Sequence, residues 1–137
     1  MSYFITGGTG FIGQNLIKLL LKRRGKVYVL VRKGSEEKLE ALKLKWGPAA
    51  KKVVAVSGDL TKPFLGVAPA QRKELAGAVD HFFHSAAIYD LKADAASQEA
   101  ANIEGTRNAI RLAETIKAKR FHHVSSIAAA GLYPGVF

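Results

Sequence analysis

A glycine-rich turn near the start of the chain constrains its fold more than any other feature. Residues Thr6-Gly-Gly-Thr-Gly-Phe-Ile-Gly13 follow a short apolar run and open an amphipathic one. In a strand–turn–helix unit, one glycine lets the chain reverse, one lets backbone approach a pyrophosphate, and one lets the helix pack closely on the sheet. The helix N-terminus then offers unpaired N–H groups to the phosphates. The pattern Gly8, Gly10 and Gly13 therefore predicts binding of a nicotinamide dinucleotide.

Short apolar runs that are typical of buried parallel strands alternate with amphipathic, helix-like runs along the sequence. The first helix is expected to carry Ile12, Leu16, Leu19 and Leu20 on its buried face. This alternation predicts one domain over residues 1–137, an α/β fold with a doubly wound parallel sheet of the Rossmann type in the order 3-2-1-4-5. The expected strands are Tyr3–Thr6, Val27–Val31, Lys52–Val56, His81–His84 and Phe121–Ser125, and the expected helices are Phe11–Arg23, Ser35–Lys45, Pro69–Ala76 and Asp94–Lys117.

The composition is that of a globular protein, with 48% apolar and 23% charged residues among 137. Because the chain has no cysteine, disulfides and thiol chemistry are excluded, and a reducing compartment is compatible with the sequence. No apolar stretch approaches the roughly 20 residues of a membrane span, and the start of the chain lacks the features of a signal peptide. We therefore expect a cytoplasmic protein without a membrane span.

The net charge of +10 is unevenly distributed. Residues 1–52 contain twelve Lys and Arg against three Glu, a balance of +9, whereas the other 85 residues contain nine basic against eight acidic groups, a balance of +1. Between Lys26 and Lys52, where much of this charge lies, only Tyr28 and Trp46 could stack on bases. A basic face beside an anion site explains the charge, so we expect no nucleic-acid partner. A basic nucleic-acid-interacting module remains an alternative.

The residues after the second strand distinguish the two nicotinamide cofactors. An acidic side chain there would accept from a ribose 2′-hydroxyl, whereas a basic one favours a 2′-phosphate. Arg32 offers a planar fork for phosphate, Lys33 adds a point charge, and Ser35 can add a hydroxyl besides serving as the N-cap of the next helix. These residues predict NADP(H) rather than NAD(H); the alternative is two solvated charges in a loop.

Two further strand ends predict other parts of the cofactor site. Asp59 is expected to accept a hydrogen bond from the adenine amino group, with Leu60 covering the ring; the alternative is an Asp that bonds its own turn. Small side chains at Ala86 and Ala87 would let backbone pass close to the nicotinamide-side ribose. His84 is expected to be a bonded structural histidine rather than a base.

The remaining polar candidates lie near the fifth strand and on the fourth helix. A serine after the fifth strand can hydrogen-bond a carbonyl oxygen near the nicotinamide ring. Asn102 lies in mid-helix, where it either faces the cofactor edge or is a tolerated surface residue. His122 and His123 alternate across a strand and face opposite sides, so no metal site is expected.

Five motifs, taken in their order along the chain, together resemble the sequence pattern of the extended short-chain dehydrogenase/reductase family. Within that family, Leu30-Val-Arg32 and His84-Ser-Ala-Ala-Ile-Tyr-Asp90 are most similar to the fatty acyl-CoA reductase and thioester reductase branch. The resemblance implies that Ser126 is the catalytic serine, Asn102 the catalytic helix asparagine, and Arg32 the 2′-phosphate contact. The motifs are Thr6–Gly13, Gly58-Asp-Leu60, His84-Ser-Ala-Ala87, Asn102-Ile-Glu-Gly-Thr106 and Val124-Ser-Ser126.

One element of the family pattern is not found. The family's proton donor is the tyrosine of a Tyr-x-x-x-Lys pair, but Tyr133 is the only tyrosine after Ser126, and Phe137 stands where the lysine would be. We therefore expect an incomplete domain, an N-terminal part that lacks the C-terminal strands and the substrate domain. The open sheet edge would then be covered by further sequence or by a second copy in a homodimer.

These observations favour part of an NADP(H)-dependent oxidoreductase that transfers hydride to an acyl thioester, aldehyde or ketone. A non-catalytic NADP(H)-binding sensor or regulatory protein is the alternative from another class, and the missing Tyr-Lys pair leaves enzyme activity undecided. The residues expected to bind the cofactor are Gly7, Thr9, Gly10, Phe11, Ile12, Gly13, Arg32, Lys33, Ser35, Asp59, Leu60, Ala86 and Ala87.

Overall fold

The protein is a five-stranded parallel sheet with helices on both faces. The computed structural model describes residues 1–87, 95–126, 131 and 135. The strand order is β3-β2-β1-β4-β5, which confirms the predicted doubly wound sheet. The strands are β1 Tyr3–Thr6, β2 Val27–Val31, β3 Val53–Ser57, β4 His81–His84 and β5 Arg120–His123, and the helices are α1 Phe11–Leu20, α2 Glu36–Trp46, α3 Pro69–Leu75 and α4 Ala95–Thr115.

Alternate residues of the strands are buried in two separate apolar layers. On one face, Phe4 and Phe82 stack at 4.7 Å between ring centroids and pack with residues of α3 and α4, such as Leu112. On the other face, Ile5 packs with residues of α1 and α2, such as Ile17. Because both faces are covered, β2 and the first three residues of β1 are apolar on both sides.

The buried face of α1 differs from the expected one. Ile12 and Leu19 are 53% and 59% exposed, whereas Ile17, which was not expected in the core, is fully buried. The phase of the helix is set by Gly13, where an added Cβ would lie 2.1 Å from the Gly7 carbonyl oxygen. This contact turns the stripe of Gly13, Ile17 and Leu20 toward the sheet.

Several element ends differ from the expected ones for local reasons. α1 ends at Leu20 rather than Arg23, and the Lys52 ammonium donates to the carbonyls of Leu21 and Arg23 at 3.0 and 2.9 Å. β5 ends at His123, since its partner β4 ends opposite it at His84. Two 3₁₀ turns, Gly47–Lys52 and Pro63–Gly66, border β3. The expected start of α4 at residue 94 lies outside the described residues. Among the described residues, no helix is long and apolar enough to cross a membrane.

Candidate functional site

A cleft of about 760 Å³ opens at the carboxyl ends of β1 to β4. β1 and β4 are neighbours there although the chain forms β2 and β3 between them, so the cleft lies at the point where the strand order reverses. Ligands of open α/β sheets bind at such a point. The cleft is lined by Gly7, Thr9, Gly10, Leu30, Val31, Arg32, Ser35, Lys38, Gly58, Asp59, Leu60, Thr61, Ser85, Ala86 and Ala87.

The chain reverses after β1 at Gly7, which adopts a φ of +71°. An added Cβ at this position would lie 2.7 Å from the Ala86 nitrogen, so the glycine turn and the end of β4 are in backbone contact. Gly8, the first glycine of the sequence pattern, instead packs on the side chain of Val29, 2.5 Å from the position of its absent Cβ. The reversal therefore depends on Gly7, and Gly8 serves the packing of the turn on β2.

The start of α1 leaves a group of backbone N–H donors at the edge of the cleft. Gly10 is the N-cap residue, and the first intrahelical bond runs from the Gln14 N–H to the Gly10 carbonyl at 2.9 Å. The N–H groups of Phe11, Ile12 and Gly13 precede that bond. The side chains of Phe11 and Ile12 are exposed and do not line the cleft, so only their backbone can serve a ligand. A Cβ at Gly10 would approach only the Gly7 carbonyl oxygen, at 3.3 Å, which leaves room for a pyrophosphate.

Hydrogen bonds fix the junction of β1 and β4 beneath the cleft. The buried Thr6 hydroxyl shares a 2.7 Å bond with His84 Nδ1 and accepts the Ala86 N–H at 3.3 Å. The Ser85 hydroxyl donates to the Thr6 carbonyl at 2.7 Å, and Thr106 on α4 lies 3.3 Å from His84 Nε2. Burial, followed by the nearby His123, lowers the pKa of His84 to about 4. His84 is a neutral, bonded structural histidine, as expected.

The end of β2 brings two cations and a hydroxyl to the cleft. Arg32 Nε lies 3.5 Å from the Ser35 hydroxyl, and both residues line the cleft. Lys38, one turn further along α2, lines it as well and was missed by the sequence analysis, whereas Lys33 does not line it. The spacing of three residues between Ser35 and Lys38, which puts both on one side of a helix, was the available signal.

The N-cap role expected of Ser35 is wrong in one respect. Ser35 occupies the N-cap position of α2, but its side chain makes no capping hydrogen bond. The carboxylate of Glu36 accepts the Gly34 N–H at 2.7 Å at this end of the helix. The Ser35 hydroxyl is therefore directed to Arg32 rather than to the helix backbone.

Asp59 makes the turn bonds of the second alternative that the sequence left open. Its Oδ1 accepts both the N–H of Thr61, at 2.9 Å, and the Thr61 hydroxyl, at 2.8 Å. These two bonds are the main causes that hold the pKa of Asp59 below its ordinary value. The carboxyl thus shapes its own turn, and Asp59 still lines the cleft beside Leu60.

The two expected catalytic residues are not among those that line the cleft. Ser126 follows β5 and is exposed, and Asn102 is partly buried on α4. Tyr133 and residues 88–90 of the branch motif lie outside the described residues.

The histidines of β4 and β5 form stacked pairs on opposite sheet faces. His81 Nδ1 lies 2.9 Å from His122 Nε2, while His123 stacks on His84 with ring centroids 5.5 Å apart. Within residues 1–87 and 95–126, no group of three side chains could hold a metal ion.

The fold and the cleft define a Rossmann-type nucleotide-binding domain of the extended short-chain dehydrogenase/reductase type. The family described as male sterility protein, an NAD-binding family, matches residues 5–135, so the chain belongs to this family. The resemblance found in the sequence is thereby confirmed, and the cofactor class is a nicotinamide dinucleotide.

Relatives and solved structures agree with this assignment. The chain is similar to the L-2-aminoadipate reductase large subunit of Penicillium chrysogenum, with 37% identity over 92% of the chain and 10% of the relative. It is 34% identical, over 90% of the chain and 27% of the relative, to a Drosophila melanogaster protein named as a fatty acyl-CoA reductase.

Among solved structures, the reductase domain of a nonribosomal peptide synthetase from Mycobacterium tuberculosis superimposes with a TM-score of 0.76 and 31% identity, covering 97% of the chain and 35% of that structure. The terminal R domain of the myxalamid pathway gives a TM-score of 0.79 at 29% identity, covering 93% and 34%. The chain therefore spans at most about a third of the length of these proteins.

Proposed function

We propose that the cleft binds NADP(H) in preference to NAD(H). The observation that carries the proposal is the pair of cations, Arg32 and Lys38, that lines the cleft together with Ser35 at the end of β2. A 2′-phosphate at this position would meet a guanidinium fork, an ammonium group and a hydroxyl.

The other cleft residues fit the rest of such a cofactor. The turn from Thr9 to Ile12 would hold the pyrophosphate through backbone N–H groups, with Gly13 allowing the close approach of α1. Asp59 and Leu60 would contact the adenine, and Ala86 and Ala87 the nicotinamide-side ribose. Lys33 would act through its charge alone, since it does not line the cleft.

We further propose that the protein is a reductase for an acyl thioester, aldehyde or ketone. NADPH, when bound, supplies a hydride to an electrophilic carbonyl carbon. Ser126 would donate a hydrogen bond to the carbonyl oxygen, where negative charge develops, and Asn102 would support this from α4. The names of two relatives, an L-2-aminoadipate reductase and a fatty acyl-CoA reductase, support a reductase, and an acyl-CoA is itself a thioester. The family's Tyr-x-x-x-Lys proton-donor pair is not formed by Tyr133, because Phe137 stands four residues later in place of the lysine.

Titration of the purified protein with NADPH and NADH tests the cofactor proposal. We expect NADPH to bind at least about tenfold more tightly, which corresponds to one charge-assisted contact to the 2′-phosphate. Equal affinities would contradict it. Binding of NADPH without turnover of any thioester, aldehyde or ketone would favour the non-catalytic sensor. Salt-sensitive DNA binding that is indifferent to NADPH would favour the basic module.

A further inference from the structure

Asn108 on α4 is a polar side chain buried in an otherwise apolar layer. It is 4% exposed, and its neighbours in the sequence and along the helix, Ala109 and Leu112, belong to the core. Its side-chain amide donates a hydrogen bond of 3.0 Å to the carbonyl oxygen of Leu60, a residue that lines the cleft. A buried amide and a backbone carbonyl are thus satisfied by each other.

The segment that Asn108 contacts has a strained backbone. Phe64 and Leu65, in the 3₁₀ turn after Leu60, adopt φ angles of 52° and 55°, a region that non-glycine residues avoid. The Leu65 side chain is fully buried, and its carbonyl accepts the Asp59 N–H at 2.7 Å. Such a conformation persists only where surrounding contacts impose it.

α4 also contacts this segment at Gly105. A Cβ on Gly105 would lie 3.6 Å from the Cβ of Leu60, in ordinary van der Waals contact. Leu60 therefore packs directly on α4. The Asn108 amide bonds the Leu60 carbonyl, and the Leu65 side chain packs in the core. Asp59 and Leu60 reach the cleft from a segment whose position depends on α4.

We propose that Asn108 is a positioning residue for the adenosine half of the dinucleotide. It acts through the Leu60 carbonyl, which keeps Leu60 and Asp59 at the wall of the cleft. This inference rests on the proposed function, because it presumes that a dinucleotide occupies the cleft with its adenine near Leu60. The glycine turn and Ala86 are held by a separate set of bonds around Thr6 and do not depend on Asn108.

The test compares the binding of two halves of the cofactor to the variant Asn108→Leu, which keeps the branched shape of the side chain and removes the amide. We expect affinity for 2′,5′-ADP, the adenosine half, to fall about tenfold, since the Leu60 carbonyl loses its partner. Affinity for reduced nicotinamide mononucleotide, the other half, should stay within about twofold of wild type. Equal losses for both halves, or no loss for 2′,5′-ADP, would overturn the proposal.

A milder variant and a matched control keep the result interpretable. If Asn108→Leu does not fold, Asn108→Ser, whose side chain is too short to reach Leu60, takes its place. It must lose affinity for 2′,5′-ADP and keep affinity for reduced nicotinamide mononucleotide, or the proposal is wrong. Ile116→Val disturbs the same core layer, one residue after the end of α4, without touching this hydrogen bond, and should change neither affinity. Failure of the wild type to bind NADPH or NADH would instead refute the proposed function, and with it this inference.

Discussion

His84 and Thr6 share a buried hydrogen bond of 2.7 Å that ties the carboxyl end of β4 to that of β1. The two residues stand immediately before the segments that face each other across the cleft, Ser85–Ala87 and the glycine turn. Since Thr106 contacts the other ring nitrogen of His84, the imidazole joins three elements at the floor of the cleft. The neutral imidazole can serve both hydroxyl groups, because one ring nitrogen donates and the other accepts.

This arrangement gives a pH dependence of stability with a defined sign. The pKa of His84 falls from 6.5 to about 4 in the folded protein, so the unfolded chain binds the proton more tightly between these values. The stabilisation is complete above about pH 6.5 and is lost as the pH falls toward 4, by roughly 3 kcal/mol at most. His84→Gln should flatten this part of a plot of unfolding free energy against pH, measured with urea.

The exposed His123 provides the control for that measurement. His123→Gln removes a histidine whose ring stacks on His84 but does not take part in the bonds to Thr6 and Thr106. Most of the slope between pH 6.5 and 4 should remain in this variant. A slope that disappears equally in both variants would contradict the assignment to His84.

Arg32 determines the preference between the two cofactors in our proposal. In Arg32→Glu, a like charge replaces the partner of the 2′-phosphate, so NADPH should bind about a hundredfold more weakly. NADH, which has no 2′-phosphate, should lose less than about threefold. Fluorescence titrations with both cofactors measure the two losses, and equal losses would refute the role of Arg32.

Lys38 and Lys33 form a matched pair for testing the second cation. Both are exposed, and both follow β2 within a few residues, but only Lys38 lines the cleft. Lys38→Gln should weaken NADPH binding about fivefold to tenfold, whereas Lys33→Gln should change it within about twofold. The reverse order in the same titration would make Lys33, rather than Lys38, the second cation beside Arg32, as the sequence alone suggested.

Substitutions at two glycines of the turn should have different effects, one on cofactor binding and the other on folding. A valine side chain at Gly10 would project into the pyrophosphate space, so Gly10→Val should abolish binding of NADPH and NADH. Its cost in stability should be only about 1 kcal/mol, the usual cost of a poor N-cap residue. Gly13→Val should unfold the protein or cost several kcal/mol, because its Cβ would lie 2.1 Å from the Gly7 carbonyl oxygen.

Circular dichroism and thermal melts distinguish the two glycine variants. A Gly10→Val protein with native spectra that still bound NADPH at wild-type affinity would exclude the glycine turn as the phosphate site.

The sequence predicted the sheet order correctly because its signals are local. Short apolar runs and one glycine turn specify a parallel sheet without any knowledge of tertiary contacts. The expected face of α1 was right at Leu16 and Leu20 but wrong at Ile12 and Leu19, because the contact between Gly13 and Gly7 decides the phase of the helix. An apolar stripe through Ile12 and Leu19 fits helical spacing equally well, and only the tertiary contact excludes it from the core.

The site shows the same division between local and tertiary information. Arg32 could be predicted as a site residue from the sequence, because it directly follows β2. Lys38 reaches the cleft only because α2 begins at Glu36 and turns its first residues toward β2. Asn108 resembles a tolerated polar residue in a helix until the position of Leu60 is known, because the two are 48 residues apart in sequence.

The central claim, a dinucleotide in the cleft at the ends of β1 to β4, is tested most directly by NMR titration of the ¹⁵N-labelled protein with NADPH. The account predicts that the amide signals of Thr9–Ile12, Arg32–Ser35 and Leu60 shift together with one affinity. Signals of the basic residues that directly follow α1, such as Lys22, should not move. Shifts confined to those residues, with the glycine turn unchanged, would contradict the account.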